Sequence, residues 1–244
     1  PVDNEGAEAL YVPLVGEEAI IPAAKIFHAA GMSWSLSLFT ATNHSYFVGD
    51  AAKAKAAANW IVQEALDLGV KAIVYPECGH ASRTLFNYFD GWFGDEIAGL
   101  EKLNIVPLTH QFLKEGRIKV NPAVFDTALT YHDSCSLGRS SGMYEEPREL
   151  IHTVATNFRE MTPNRALNWC CGGGGGLIAA AEEKFEMRMQ GGLPKVQQIR
   201  ETGAEWVITA CENCKTQLED LNEHFELGVE IKGVIDLIAD SLIL

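Results

Sequence analysis

The chain alternates short apolar runs with longer segments whose apolar positions recur every three to four residues. Leu10 to Val15 is one such run, and Ile20 to Ala30 behind it has helical periodicity. Ser35 to Phe39 predicts a short strand. Residues 51–68 place Ala51, Ala52, Ala54 and Ala56 to Ala58 ahead of Trp60, Ile61, Ala65 and Leu66, a strong helix pattern, and Gly69 stands where a helix stop belongs. Lys71 to Tyr75 reads as a buried strand running into Pro76-Glu77-Cys78-Gly79-His80, with a helix expected over Ser82 to Phe89.

The second half repeats this order. Ala128 to His132 predicts a strand that runs into Asp133-Ser134-Cys135, and a helix follows near Pro147 to Phe158. A short strand over Ala166 to Trp169 is expected to deliver Cys170 and Cys171. Glu182 to Arg200 reads as helix with an interruption at Gly191-Gly192-Leu193-Pro194. Glu205 to Thr209 predicts a strand ending at Ala210-Cys211-Glu212-Asn213-Cys214, with helices over Lys215 to Phe225 and Val234 to Ser241.

Without a gap, residues 68–77 align with 202–211, setting Glu77 opposite Cys211 and His80 opposite Cys214, with Cys78 one place out of register. Tyr11 to Val15 matches Tyr131 to Cys135 in the same way, and residues 40–44 stand where the cysteine doublet would fall. The pattern therefore predicts an α/β fold of two tandem pseudo-symmetric units, 1–122 and 123–244. Their sheets are mainly parallel and doubly wound, and the first unit lacks the cysteine array. Such folds build sites at the carboxyl ends of their strands.

At 244 residues and 47% hydrophobic, the chain has enough apolar surface for one large core or two small ones. It has no apolar run of about 18 residues, so no membrane-spanning helix is expected. The acidic opening broken by Pro13, Gly16 and Pro22 does not read as a secretory signal. The sequence begins at Pro1 instead of Met, and is expected to be the C-terminal portion of a longer polypeptide. A net charge of −14 argues against nucleic-acid binding, which needs a basic face, and suits a basic partner protein or simple solubility.

Five of the six cysteines form a C-x34-CC-x39-CxxC array: Cys135, Cys170, Cys171, Cys211 and Cys214. Thiolates are soft ligands that select iron–sulfur clusters, zinc or Cu(I). Structural zinc sites rarely use adjacent cysteines, whereas neighbours can reach different irons of one cluster. A disulfide framework belongs to short, core-poor secreted domains, and a Cys170–Cys171 bridge would be strained, so a reducing compartment fits better. Gly172 to Gly176 lets the backbone fold tightly around an inorganic body. It lacks the features of a P-loop or a dinucleotide fingerprint. Cys78 reads as an extra ligand, as a thiol forming a mixed disulfide with substrate, or as a buried free cysteine. His80 and His132 are candidate proton donors to departing thiolates, or hydrogen-bonded structural histidines. Arg139 is placed to balance an anionic cluster, to bind a substrate carboxylate, or to form a surface ion pair. A zinc-stabilised interaction domain, or an ordinary cluster using four of the cysteines, stays open on these residues alone.

The segments Tyr131-His132-Asp133-Ser134-Cys135-x-Leu137-Gly138-Arg139, Asn168-Trp169-Cys170-Cys171-Gly172 and Cys211-Glu212-Asn213-Cys214 resemble the cysteine-rich CCG domain of heterodisulfide reductase catalytic subunits. That domain also occurs in glycolate oxidase and lactate-utilisation iron–sulfur proteins. The likeness is strongest to the K subunit of the membrane complex linked to dissimilatory sulfite reductase and to related respiratory subunits. The resemblance implies one noncubane [4Fe-4S] cluster bound by Cys135, Cys170, Cys171, Cys211 and Cys214. It also implies reductive, or reverse, cleavage of a disulfide or trisulfide carried by a small protein, in anaerobic sulfur-linked respiration. The implied partners are a quinone-linked membrane subunit and ferredoxin-type cubane clusters, whose C-x2-C-x2-C-x3-C motif this chain lacks, so that they would lie upstream or on a partner. The implied location is cytoplasmic, peripheral on the cytoplasmic face of a membrane complex. The main alternative is an electron-relay subunit of a flavin-linked hydroxyacid oxidase.

Overall fold

The computed structural model describes residues 1–13, 16–40, 49–174, 176–178 and 181–243. The expected counterparts of Cys135 (Val15) and of most of the doublet segment (residues 41–44) lie outside the described residues, as does Gly175 of the glycine run. The order is β1 (Ala9–Tyr11), α1 (Gly16–Ala29), β2 (Trp34–Leu36), α2 (Ala51–Asp67), β3 (Ala72–Tyr75), α3 (Gly79–Phe93), β4 (Glu101–Asn104) and α4 (Ile105–Lys114). It continues with β5 (Leu129–His132), α5 (Gly138–Ser141), α6 (Glu145–Val154), α7 (Ala181–Thr202), β6 (Trp206–Thr209), α8 (Glu212–His224), β7 (Glu230–Gly233) and α9 (Val234–Ser241).

The strands form two sheets, β2-β1-β3-β4 and β5-β6-β7, in which every pairing is parallel. The expected α/β architecture is the observed one. In both sheets the first strand pairs with a later one, and the last strand runs directly into a helix, at Asn104–Ile105 and Gly233–Val234. Alternation within β1 and β3 sorts the core. Leu10 and Ile73 face α2 and α3, where Ile61, Val62, Leu85 and Phe89 cover them. Tyr11 and Val74 face the other way and share one apolar cluster with Phe27, Ile105, Phe112, Tyr131, Leu150, Ile208 and Ile238. That cluster crosses from one sheet to the other, so the two halves close over a common core. Gly69 does end α2, with a positive φ of 63° that other residues rarely adopt.

Two local expectations are corrected, and a third difference is an omission. Residues 166–169 form no strand. Arg165–Leu167 is a single 3-10 turn, because the backbone there is held by side chains instead of a ladder. Arg139 donates to the carbonyls of Ala166 (3.3 Å) and Asn168 (2.9 Å), and the Arg165 N–H bonds the Asp133 carboxylate at 2.7 Å. Second, α7 runs unbroken through Gly191-Gly192-Leu193-Pro194. Its glycines are a bare patch against which the cysteine loop packs: a Cβ on Gly192 would lie 3.0 Å from the Cys171 carbonyl and 2.6 Å from Leu221 Cδ2. Third, β4, α4 and β7 go unannounced by the pattern, since β4 and β7 are four-residue strands with charged, partly exposed residues.

Candidate metal centre

The five cysteines of the array come from three separate segments and meet in one place. Cys135 follows β5, Cys211 is the N-cap residue of α8 and Cys214 lies in its first turn, all at the carboxyl ends of parallel strands. Cys170 and Cys171 arrive on the segment behind the 3-10 turn. The Cys171 and Cys214 sulfurs are 3.5 Å apart. Cys135 is within hydrogen-bonding reach of Cys170, Cys170 of Cys171, and Cys214 of Cys211, so the thiols form one continuous chain. None of the six cysteines is in a disulfide; Cys171, Cys211 and Cys214 are buried, Cys135 is half-buried and Cys170 is exposed.

Such crowding splits the thiols into donors and acceptors. Cys170 is held far below an ordinary thiol by the hydrogen bonds from Cys135 and Cys171. Cys211 is pulled down to about 5 by Cys214, with help from the Gly79 N–H and the charge of His80. Cys171 is pushed up to about 12 by its contact with Cys170, and Cys135 and Cys214 are raised by the same sharing of protons.

His132 is fully buried and lies with Cys171 and Cys214 in a group whose ligand atoms are all within 4.8 Å of one another. Both of its ring nitrogens lack a hydrogen-bond partner, as does the buried Ser134 hydroxyl. Burial, then the charge of Lys195, hold the imidazole well below its usual range, so it is neutral at neutral pH. Orphaned donors and acceptors beside clustered soft thiols fit a bound anionic group such as an iron–sulfur cluster.

A buried polar frame supports the cysteines, and the sequence reading missed it. Arg148 grips Asp133 with two bonds (2.7 and 2.8 Å) and Glu160 with two more (both 2.8 Å). Lys195 of α7 bonds Asn168, whose amide donates to the Asp133 carbonyl at 2.5 Å. The glycine run contributes through contact. At Gly172, with φ of 95°, a Cβ would sit 2.9 Å from the Gly192 nitrogen, and at Gly173 it would sit 2.7 Å from Gln217.

The first unit supplies one wall. The Cys78 thiol is buried and caps α3, accepting the Ala81 N–H at 3.4 Å, and burial followed by the charge of Cys211 pushes it up. A Cβ on Gly79 would meet Ser134 Oγ at 2.7 Å and Cys211 Sγ at 3.5 Å, so only a glycine lets this turn close on the cysteines. His80 is close enough for its charge to act on Cys211. The sequence-predicted Cys78, His80 and His132 thus all border the five-sulfur array. Arg139 braces the doublet segment through carbonyls.

Residues 129–219 match the cysteine-rich CCG domain model, a span that holds all five sulfurs. That span resembles a CCG cysteine-rich domain. The chain as a whole is similar to curated relatives of the heterodisulfide reductase-like kind. It is 28% identical over 240 residues to the Hdr-like menaquinol oxidoreductase iron-sulfur subunit of Archaeoglobus profundus, covering 83% of this chain and 42% of that protein. To a component of the dihydromethanophenazine:CoB--CoM heterodisulfide reductase of Methanosarcina acetivorans it is 29% identical over 150 residues, 61% of this chain and 36% of the relative. To EtfAB:quinone oxidoreductase of Syntrophomonas wolfei it is 27% identical over 159 residues, covering 62% and 21%. The chain therefore spans less than half the length of these relatives. No helix among its described residues is long and apolar enough to cross a membrane.

Proposed function

We propose that this chain is the catalytic portion of an iron–sulfur oxidoreductase that cleaves, or forms, a disulfide or trisulfide in sulfur-linked respiratory electron transfer. The observation that carries the reading is the convergence of five sulfurs, four of them withdrawn from solvent to varying degrees and one, Cys170, exposed. Cys135, Cys170, Cys171, Cys211 and Cys214 would hold the cluster, and its noncubane [4Fe-4S] form is part of the proposal. Bound there, the cluster supplies single electrons to an S–S bond whose reduction needs two.

The chain's own residues do the rest. The unit over 123–244 holds the sulfurs, and the 76–80 turn of the unit over 1–122 shields Cys211 from water. His132, kept neutral by burial, offers an N–H that can hydrogen-bond a thiolate beside Cys171 and Cys214 without giving up the proton; His80, whose charge acts on Cys211, is the candidate proton donor. Cys78 is assigned to capping α3, since a buried thiol with a raised pKa is a poor nucleophile. The substrate is a small protein carrying the S–S bond. Electrons arrive from a quinone-linked membrane subunit through cubane clusters outside this chain, which sits peripherally on the cytoplasmic face of that complex.

A second reading has specific support. The likeness to an EtfAB:quinone oxidoreductase favours a cluster that only relays electrons, as in a flavin-linked oxidase. Electron paramagnetic resonance separates the two. The reconstituted protein, poised with a small thiol or its disulfide, is expected to change its signal if substrate sulfur engages the site. An unchanged signal at saturating thiol would leave the relay.

A further inference from the structure

The Lys195 side chain is fully buried in the middle of α7. Its ammonium donates to Met161 Sδ at 3.5 Å, Asn168 Oδ1 at 2.7 Å and Gln198 Oε1 at 2.5 Å. Three acceptors around one nitrogen use all three protons of the charged form. All three acceptors are neutral. A buried charge without a counter-ion is costly, and buried lysines are normally paired. Asp133 is the carboxylate that Lys195 feels, and it is already neutralised by the two-bonded grip of Arg148. Met161, which the ammonium touches, packs in the same buried cluster as Cys171, Cys211 and Cys214, and Asn168 lies two residues before Cys170, so the cation sits against the wall of the sulfur array.

Resting on the iron–sulfur reading above, we infer that Lys195 is the fixed counter-charge of the cluster, a positioning residue that raises its reduction potential by electrostatics. Each electron that enters adds negative charge beside a cation held in a low-dielectric site, where charge interactions are strong. The ammonium cannot swing away, because Asn168 and Gln198 hold it. Gln198 is itself anchored to the Pro163 carbonyl at 2.8 Å. Asn168 ties the same network to the doublet two residues on. Burial lowers the amine to about 8, which still leaves it a cation at neutral pH.

The test is a redox titration of the reconstituted chain, followed by paramagnetic resonance, for the wild type, Lys195→Met and Lys195→Arg. Lys195→Met is expected to shift the one-electron equilibrium about tenfold toward the oxidised cluster, about 59 mV. Lys195→Arg, which keeps the charge but not the hydrogen-bond geometry, is expected to remain near the wild-type potential. If Lys195→Met cannot hold iron, iron retained by Lys195→Arg supports the same conclusion. An unchanged potential in Lys195→Met, or equal failure of the Met and Arg variants, would overturn it and leave Lys195 as a structural brace. Absence of iron from the wild type itself would instead remove the underlying iron–sulfur reading.

Discussion

The Glu77 carboxylate accepts the backbone N–H of Val234 at 2.8 Å, a bond between residues 157 apart in sequence. It also accepts the Ile235 N–H at 3.2 Å, while the Glu77 carbonyl accepts the Glu212 N–H at 2.7 Å. Glu77 stands where the repeat places Cys211. At that strand end the second unit has a cysteine and the first has a carboxylate that caps the second unit's last helix. The turn that borders the metal centre is also the clasp between the two halves.

Glu77→Ala leaves two buried N–H groups without a partner and is expected to cost about 2–4 kcal/mol in urea unfolding. Glu77→Gln keeps an acceptor oxygen and is expected to cost about 1 kcal/mol or less. Burial, with the charges of Asp236 and Glu212, raises Glu77 well above an ordinary carboxyl, and burial raises Glu212 to about 7. The native state thus binds these protons more tightly than the unfolded chain. Their contribution to stability is full below the unfolded carboxyl pKa and falls as pH rises through about 7 and beyond. Glu77→Gln is expected to flatten that decline; an equally steep decline in the variant would contradict the assignment.

Contact between the glycine run and α7 predicts a position-specific response. Gly172→Ala and Gly192→Ala force a Cβ into backbone or Leu221 and are expected to lose about 1–3 kcal/mol and much of the bound iron. Gly174→Ala meets nothing within 4 Å and serves as the neutral comparison. Equal iron content in all three would remove this role for the glycines.

Arg148→Met strands the buried Asp133 carboxylate, and a loss of about 3–5 kcal/mol is expected from thermal or urea unfolding. Because Asp133 also holds the Arg165 N–H, the doublet segment should loosen, read as faster alkylation of Cys170 and Cys171 in the iron-free protein.

As a helix cap, Cys78 predicts that Cys78→Ser retains full iron and that Cys78→Ala costs about 1 kcal/mol. Iron lost from the serine variant would restore Cys78 to the ligand set.

The sequence made the parallel α/β architecture and the cysteine convergence legible because both rest on local signals. Alternating apolar runs mark β1, β3, β5 and β6, and cysteines directly after strands fall at the same sheet edge. What it hid depends on long-range partners. Arg139 and Asp133 replace a ladder with side-chain bonds over 165–168, so an apolar run that looks like a strand is none. Gly191 and Gly192 look like a helix break, yet they are the gap that admits the Cys171–Gly172 backbone. Lys195 carries no spacing signal; only the fold shows it buried on Met161 and Asn168, in the packing around the sulfurs.

The most direct measurement is the iron and acid-labile sulfide content of anaerobically reconstituted protein, alongside the five single serine variants of Cys135, Cys170, Cys171, Cys211 and Cys214. The account predicts about four irons and matching sulfide per chain, with each serine variant losing or altering the cluster. Zinc in place of iron, or an unaltered cluster in any of the five variants, would contradict it.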